Sequence, residues 1–591
     1  MKYSGVNPLA HYVFYGQNGR RIFKSIQEDV DFDKYSNINI DNILLALVSG
    51  KIVIILYICN DFDNIKKCIS SILKNTKINY ELIVINDCST DIRVNDLLNS
   101  LDNKNNLTIR QNTKKLGFSR SVNEEIKNSL GDVLLIKSNI IVTNKWLQKM
   151  IVTAYSNETV GTVIPLFVPV KIILDTYIEI IDIQKLGSNE IAFLLETISE
   201  HLKSEINCVD ESCIFIKRKV INDIGPFNEE DIDFTPKYLL KKCSDNGWKN
   251  IIEESTYVYK NIKSYDPNNP ENIETSQKIK RILEKIPPNS KEYEIKIPKI
   301  RLLYVLHEKF HGLTGGTGQT TKDILEQIDK QFECYILTST GKLLILWKNV
   351  QNRIIMLKSW KIQSKWSAVE FYNDEFKHIY FKILIGLNID LIHIQHLLRH
   401  TPDLHKVAKI LGIPIILSLH DFYYICPSIN LLKYDNCYCE IQCKSQLMQC
   451  NYPVQIFDEL PILKDIIYYW RKEWSILIEN CADFTAPTKY TKDLYISVYP
   501  ELMDKNFRVI EHGRDIKKTS LTLELPTKNK PIKILVPGVI KNHKGHDFIK
   551  ELIECDDQNL IEFHFMGIIY DDLKKLVFIM GDTKEKTFVT W

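Results

Sequence analysis

Asn86-Asp87-Cys88-Ser89-Thr90-Asp91 places five short oxygen-bearing side chains in six positions, directly after the apolar run Leu82–Ile85. Such a loop at the carboxyl end of a buried strand is where open α/β sheets hold ligands, although polar turn residues also end strands that bind nothing. A second candidate is Gly312-Leu313-Thr314-Gly315-Gly316-Thr317-Gly318, between an apolar stretch and a helix-like one. Backbone amides in a glycine-rich strand-to-helix loop can approach an anion, and glycine loops also simply turn corners. His420-Asp421 closes the apolar run Pro414–Leu419. A cysteine group, Cys426, Cys437, Cys439, Cys443 and Cys450, has thiolates enough for a structural zinc but lacks paired C-x2-C knuckles, so free thiols or disulfides remain open readings.

The elements that position these groups are legible as alternating strands and helices. Lys51–Cys59 reads as a continuous buried strand, and Asn64–Leu73 as a helix with Ile65, Cys68, Ile69 and Ile72 on one face. Leu82–Ile85, Leu107–Arg110 and Asp132–Ile136 follow as strands, with a helix at Ser119–Leu130. Ile300–Leu306, Ile389–His393 and Pro414–Leu419 read as strands of a second array, with a helix at Gln319–Ile328. This alternation predicts an α/β protein with mainly parallel sheets. A short amphipathic helix and glycine turn are expected in Asn7–Phe23, and a short helix at Ser276–Lys285 inside a Pro-rich, charged linker, Ser264–Lys299.

With 591 residues, the chain is too long for one core. A net charge of +2, 45% hydrophobic and 25% charged residues describe an ordinary globular protein with no basic excess for nucleic acid. Lys51 and Lys171 interrupt the apolar runs Ile43–Cys59 and Val160–Ile181, so no transmembrane helix is expected, and the N-terminus lacks a signal-peptide core. Fourteen scattered cysteines suit a reducing compartment, so a cytoplasmic location is expected.

The succession INDCSTD, LGFSRSVNEEI, GDVLLIKSNIIVTNKWL, VGTVIPLF, CIFIKRKVINDIGPFNE and NGWKNIIEESTYV resembles family 2 glycosyltransferases of the GT-A fold. The resemblance implies that Asp87 and Asp91 hold the base and ribose of a nucleotide-sugar donor. It also implies an Asp-x-Asp-like metal motif after GDVLLI, where this chain has Lys137-Ser138-Asn139, and a closing histidine where it has Lys260. Hard divalent metals need carboxylate oxygens, so no metal ligand is assigned here. The family's carboxylate pair, one member acting as general base, precedes the helix that leads to Gly247-Trp248. Gapless counting puts Thr235-Pro236-Lys237-Tyr238 there, and a shift of several residues puts Asp231 and Asp233 there.

The later series, with SLHDFYYICPS, Thr485-Ala486-Pro487-Thr488, RVIEHGRD and KILVPGVIKNHKGHDFI, resembles family 4 glycosyltransferases of the GT-B fold. The resemblance implies that Gly315 and Gly316 approach the donor phosphate, that His420 contacts the transferred sugar, and that Lys544 neutralises the diphosphate. Segment 531–591 is far shorter than the roughly 150 residues of a Rossmann-like domain, and the family's late acidic donor motif has no counterpart in it.

The expected organisation is a leader, 1–49; a GT-A-like domain, 50–263; the linker, 264–299; a Rossmann-like GT-B domain, 300–530; and a partial donor domain, 531–591. The expected activity is transfer of a sugar from a UDP-, GDP- or dTDP-sugar to a lipid-linked or protein-linked glycan acceptor in bacterial surface polysaccharide assembly. Peripheral contact with the inner face of the membrane is compatible with such an acceptor. The alternative expectation is a degenerate transferase that binds or scaffolds glycans, or a fragment.

Overall fold

The computed structural model describes residues 40–49, 52–101, 106–168, 203–205, 212–225, 236–260, 300–307, 316–328, 331–364, 369–433, 437–441, 466–513, 531–537, 544–558 and 560–566, with a few single positions besides. The expected helices at Asn7–Phe23 and Ser276–Lys285, and the linker between the two arrays, lie outside them. The chain divides into two compact units: 1–310, 325–365 and 372–416 form the larger, and 311–324, 366–371 and 417–591 the smaller.

The first sheet of the larger unit contains β1 (Ile52–Ile58), β2 (Tyr80–Asn86), β3 (Leu107–Gln111), β4 (Val133–Lys137), β5 (Ile140–Val142), β6 (Val160–Val168), β7 (Lys203–Glu205), β8 (Cys213–Ile216) and β9 (Lys249–Lys260). Their order is β3-β2-β1-β4-β8-β6-β9-β5, with β7 on β9. β3, β2, β1 and β4 run parallel, and β8 enters antiparallel between β4 and β6. The apolar runs become buried strands because helices cover the sheet. Helix Phe62–Asn75 buries Ile65, Cys68, Ile69 and Ile72, the face its sequence spacing predicts. Gly161 on β6 lies where a Cβ would come within 2.8 Å of the Trp248 Cβ, so the Trp248 side chain, just beyond helix Pro236–Asp245, packs directly on that strand.

The same unit holds β10 (Ile300–Leu306), β11 (Phe332–Ser339), β12 (Leu343–Val350), β13 (Arg353–Lys361) and β14 (Leu391–Ile394), in the order β13-β12-β11-β10-β14. β11 and β14 flank β10 in parallel, and β12 and β13 extend the edge as an antiparallel hairpin. Glu333 of β11 sits among Arg301, Tyr335 and Lys348: Arg301 Nε lies 3.3 Å from one carboxylate oxygen, and Lys348 Nζ bonds the other. Burial works against its charge, but Lys348 and Arg301 outweigh it and bring Glu333 down to about 2. Tyr335 is pushed up to about 12 by burial and by that carboxylate.

A seam joins the two sheets of this unit. Lys145, in the left-handed region at φ 58°, donates through Nζ to the carbonyls of Asn388 and Ile389 at 2.7 and 2.8 Å and pairs with Asp390 at 2.6 Å. Gly412, at φ +63°, presses on Lys77 so closely that a Cβ would meet its backbone carbonyl at 2.9 Å, and only glycine satisfies both conditions. Lys377–Asp41 and the edge-on rings of Phe32 and Trp360 add to it.

The division between the units falls within β15 (Ile415–Ser418). In the smaller unit, Ser418 and Leu419 bond Thr485, on β16 (Asp483–Ala486), which pairs in parallel with β17 (Asn506–Val509). Trp470 and Trp474 of helix Ile466–Asn480 pack edge-on to Phe371, and Trp470 also edge-on to Tyr423. β18 (Ile532–Pro537) and β19 (Ile561–Met566) form a parallel pair joined by helix His546–Glu554.

Candidate functional site

The carboxyl ends of β1, β2 and β4 meet at one edge of the first sheet. Asp87, immediately beyond β2, is fully buried and its carboxylate takes four hydrogen bonds. Asn112 Nδ2 (2.7 Å) and the Leu116 amide (2.9 Å) reach Oδ1; the Tyr57 hydroxyl (2.6 Å) and the Gly117 amide (3.0 Å) reach Oδ2. Burial pushes the Asp87 pKa upward, yet these bonds outweigh it and hold the carboxyl below its usual range. Gly117 stands at φ +78°, which lets its amide turn into the site just before helix Phe118–Asn128.

Asp91 behaves differently. It is partly exposed and paired with Arg93, whose Nη2 lies 2.7 Å from Oδ2, and the Arg93 hydrogen bond holds it below the usual range. Between the two aspartates the backbone is knit by asparagines: Asn60 Oδ1 accepts from the amides of Thr90 (2.8 Å) and Asp91 (3.2 Å), and Asn86 Oδ1 from Ser89 (3.1 Å). Cys88 sits at φ 57°, a bend these bonds hold in place. Sequence reading missed Tyr57, Asn60, Asn112 and Gly117, which come from 25 to 31 residues away from their partners.

Lys137 ends β4 opposite Tyr57 in the β1–β4 register, so the two side chains leave the same face of the sheet. It is exposed and, among the described residues, its ammonium makes no hydrogen bond or ion pair. Two residues on, Asn139 Oδ1 is buried without a donor. Pairing of Ile140 with Lys260 brings Lys260 beside this turn.

These groups do not fit a divalent metal. An ammonium has no lone pair to give, Asp87 spends its oxygens on four donors, and Asp91 is engaged by Arg93. No group of three or more His, Cys, Asp and Glu able to hold a metal occurs among the described residues.

Of the other expected site residues, Asp231, Asp233, Gly315 and Cys450 lie outside the described residues. Gly316 opens helix Gly316–Ile328, exposed, with open space where a Cβ would stand. His420 Nδ1 lies 3.4 Å from His512 Nε2, with the two rings stacked 5.2 Å apart, a partner no local pattern announces. Lys544 is exposed just before Gly545, which is at φ +80°. Cys426, Cys437, Cys439 and Cys443 are free thiols, and Arg471 Nη2 approaches the Cys443 sulfur at 3.3 Å.

A search of curated proteins finds no match to the chain. Among solved structures, S. aureus TarS 1–349 is 19% identical over 41% of this chain and 67% of its own, with a TM-score of 0.27, and it has also been solved in complex with UDP. The mannosyltransferase PcManGT from Pyrobaculum calidifontis, in complex with GDP-Man and Mn2+, is 14% identical over 40% of this chain and 72% of its own, with a TM-score of 0.27. GalNAc-T7 with UDP, GalNAc and Mn2+ is 11% identical over 40% of this chain, which spans 48% of that chain's length, with a TM-score of 0.28. Residues 52–224 match Glycosyl transferase family 2, and this segment is a domain of that family.

Proposed function

We propose that the protein is a glycosyltransferase whose first sheet takes a nucleotide-sugar donor at the edge formed by β1, β2 and β4. The observation that carries this reading is the coincidence of the family 2 segment with that edge: Asp87 and Asp91 both lie within 52–224, on the loop where a doubly wound sheet presents its ligand. In this reading Asp87 holds the shape of the pocket through its four donors, and Asp91 offers an acceptor to the nucleoside. An acceptor hydroxyl oxygen forms the new bond to the anomeric carbon as the bond to the diphosphate breaks. The electron pair leaves on the nucleoside diphosphate, and the hydroxyl proton passes to a carboxylate base, a role assigned to Asp231 or Asp233.

A second, GT-B-like module is proposed from β10 onward, supported by the parallel β11-β10-β14 order. Gly315, Gly316 and Lys544 are assigned to donor phosphate in it, and His420 to the transferred sugar. A glycan acceptor of a surface polysaccharide is the proposed substrate class. No helix among the described residues is long and apolar enough to cross a membrane.

The test is incubation of purified protein with labelled UDP-, GDP- and dTDP-sugars and a membrane extract, with products read by mass spectrometry. Transfer or donor hydrolysis with at least one sugar is expected; silence across the panel sinks the enzyme reading. Glycan binding without any nucleotide would move the protein to the scaffold class.

A further inference from the structure

Where family 2 resemblance calls for carboxylates around a divalent cation, this site presents an ammonium and an amide. We infer that the first module binds its nucleoside diphosphate without a metal, Lys137 Nζ taking the diphosphate charge and Asn139 Oδ1 taking a donor hydroxyl. This rests on the donor reading of the β1–β2–β4 edge.

Three observations carry it. The first is position: Lys137 ends β4 as the register partner of Tyr57, whose hydroxyl bonds Asp87, so its side chain leaves the sheet on the face from which Tyr57 reaches the nucleotide loop. The second is that its charge is not spent on the protein. Three little-exposed lysines of this unit are held, Lys145 by Asp390 and two carbonyls, Lys348 by Glu333, Lys377 by Asp41 and Asp374. Lys137, among the described residues, has no such partner. The third is the buried, undonated Oδ1 of Asn139. A buried acceptor without a donor is unfavourable, and a ribose or sugar hydroxyl would satisfy it by donating.

The chemistry is complementary. A diphosphate needs positive charge, which a metal supplies through carboxylate ligands and a lysine supplies directly, with three donors on a flexible stem. An Asp-x-Asp pair and its divalent cation are neutral together, whereas Lys137 leaves one positive charge at the same turn for the diphosphate with no cation bound.

Calorimetric titration of the full chain with UDP and with GDP, in EDTA and again in MnCl2, tests this. Equal affinity in the two buffers is expected, with at least a tenfold loss for Lys137→Ala, retention for Lys137→Arg, and a smaller loss of nucleotide-sugar affinity for Asn139→Ala. Thermal melts of the variants should overlay the parent, which separates lost binding from lost folding. Binding that requires Mn2+, or a Lys137→Ala variant of unchanged affinity, overturns the assignment while leaving the donor reading standing. Absence of binding by either nucleotide in either buffer overturns the donor reading and the assignment with it.

Discussion

Two charged clusters of the larger unit have opposite characters. Around Glu333 every charge is answered inside the protein: two cations and a phenol meet one carboxylate whose side chain is only 25% exposed. At the edge of the first sheet Asp87 is answered in the same way, but Lys137 and the Asn139 carbonyl are not. Satisfied charge fixes a fold, because removing one partner strands the others in a poor solvent. Unsatisfied charge contributes nothing to the fold and is left for something that arrives from outside.

Glu333→Gln should therefore have the largest effect on stability, about 3 kcal/mol, by leaving Lys348 and Arg301 uncompensated; chemical denaturation reads it. The same pair sets a pH dependence. With the folded carboxyl brought down to about 2 from an ordinary 4.5, its contribution is full above pH 4.5 and fades as the pH falls toward 2, and Glu333→Gln should abolish that slope. Asp87→Asn should cost about 2 kcal/mol, since the amide turns a donor toward the Leu116 or Gly117 amide, and amide exchange should rise in the 112–117 loop. Gly161→Ala should cost about 1–2 kcal/mol in the melting curve through its collision with Trp248. Asp91→Asn should leave the melting curve where it is and weaken only nucleotide binding. If Asp91→Asn destabilised as much as Asp87→Asn, the difference between a buried carboxylate closed by four donors and a partly exposed one paired with Arg93 would collapse.

The strands were legible because each is an apolar run cut off by polar residues: β10 falls on Ile300–Leu306 as its sequence predicts, and the helix at Phe62–Asn75 buries its predicted stripe. The antiparallel entry of β8 between β4 and β6 was not, because CIFI is equally apolar in either direction. The position of Asp87 was legible and its partners were not. A carboxylate at the end of a strand looks the same in sequence whether it waits for a ligand or is closed by a tyrosine 30 residues before and a loop 25 to 30 residues after. Lys137 was legible as a departure from a motif, and its lack of a partner became visible only once the surrounding side chains had places.

The Lys145 seam has a practical consequence for anyone who wants the family 2 segment alone. Cutting the chain after Lys260 would leave that lysine, the Lys77 backbone under Gly412 and the Asp41 carboxylate facing water with their counterparts gone. A shortened version ending there is expected to express poorly or cling to other surfaces, whereas one that keeps both sheets through Gly412 retains each face with the face it was shaped against.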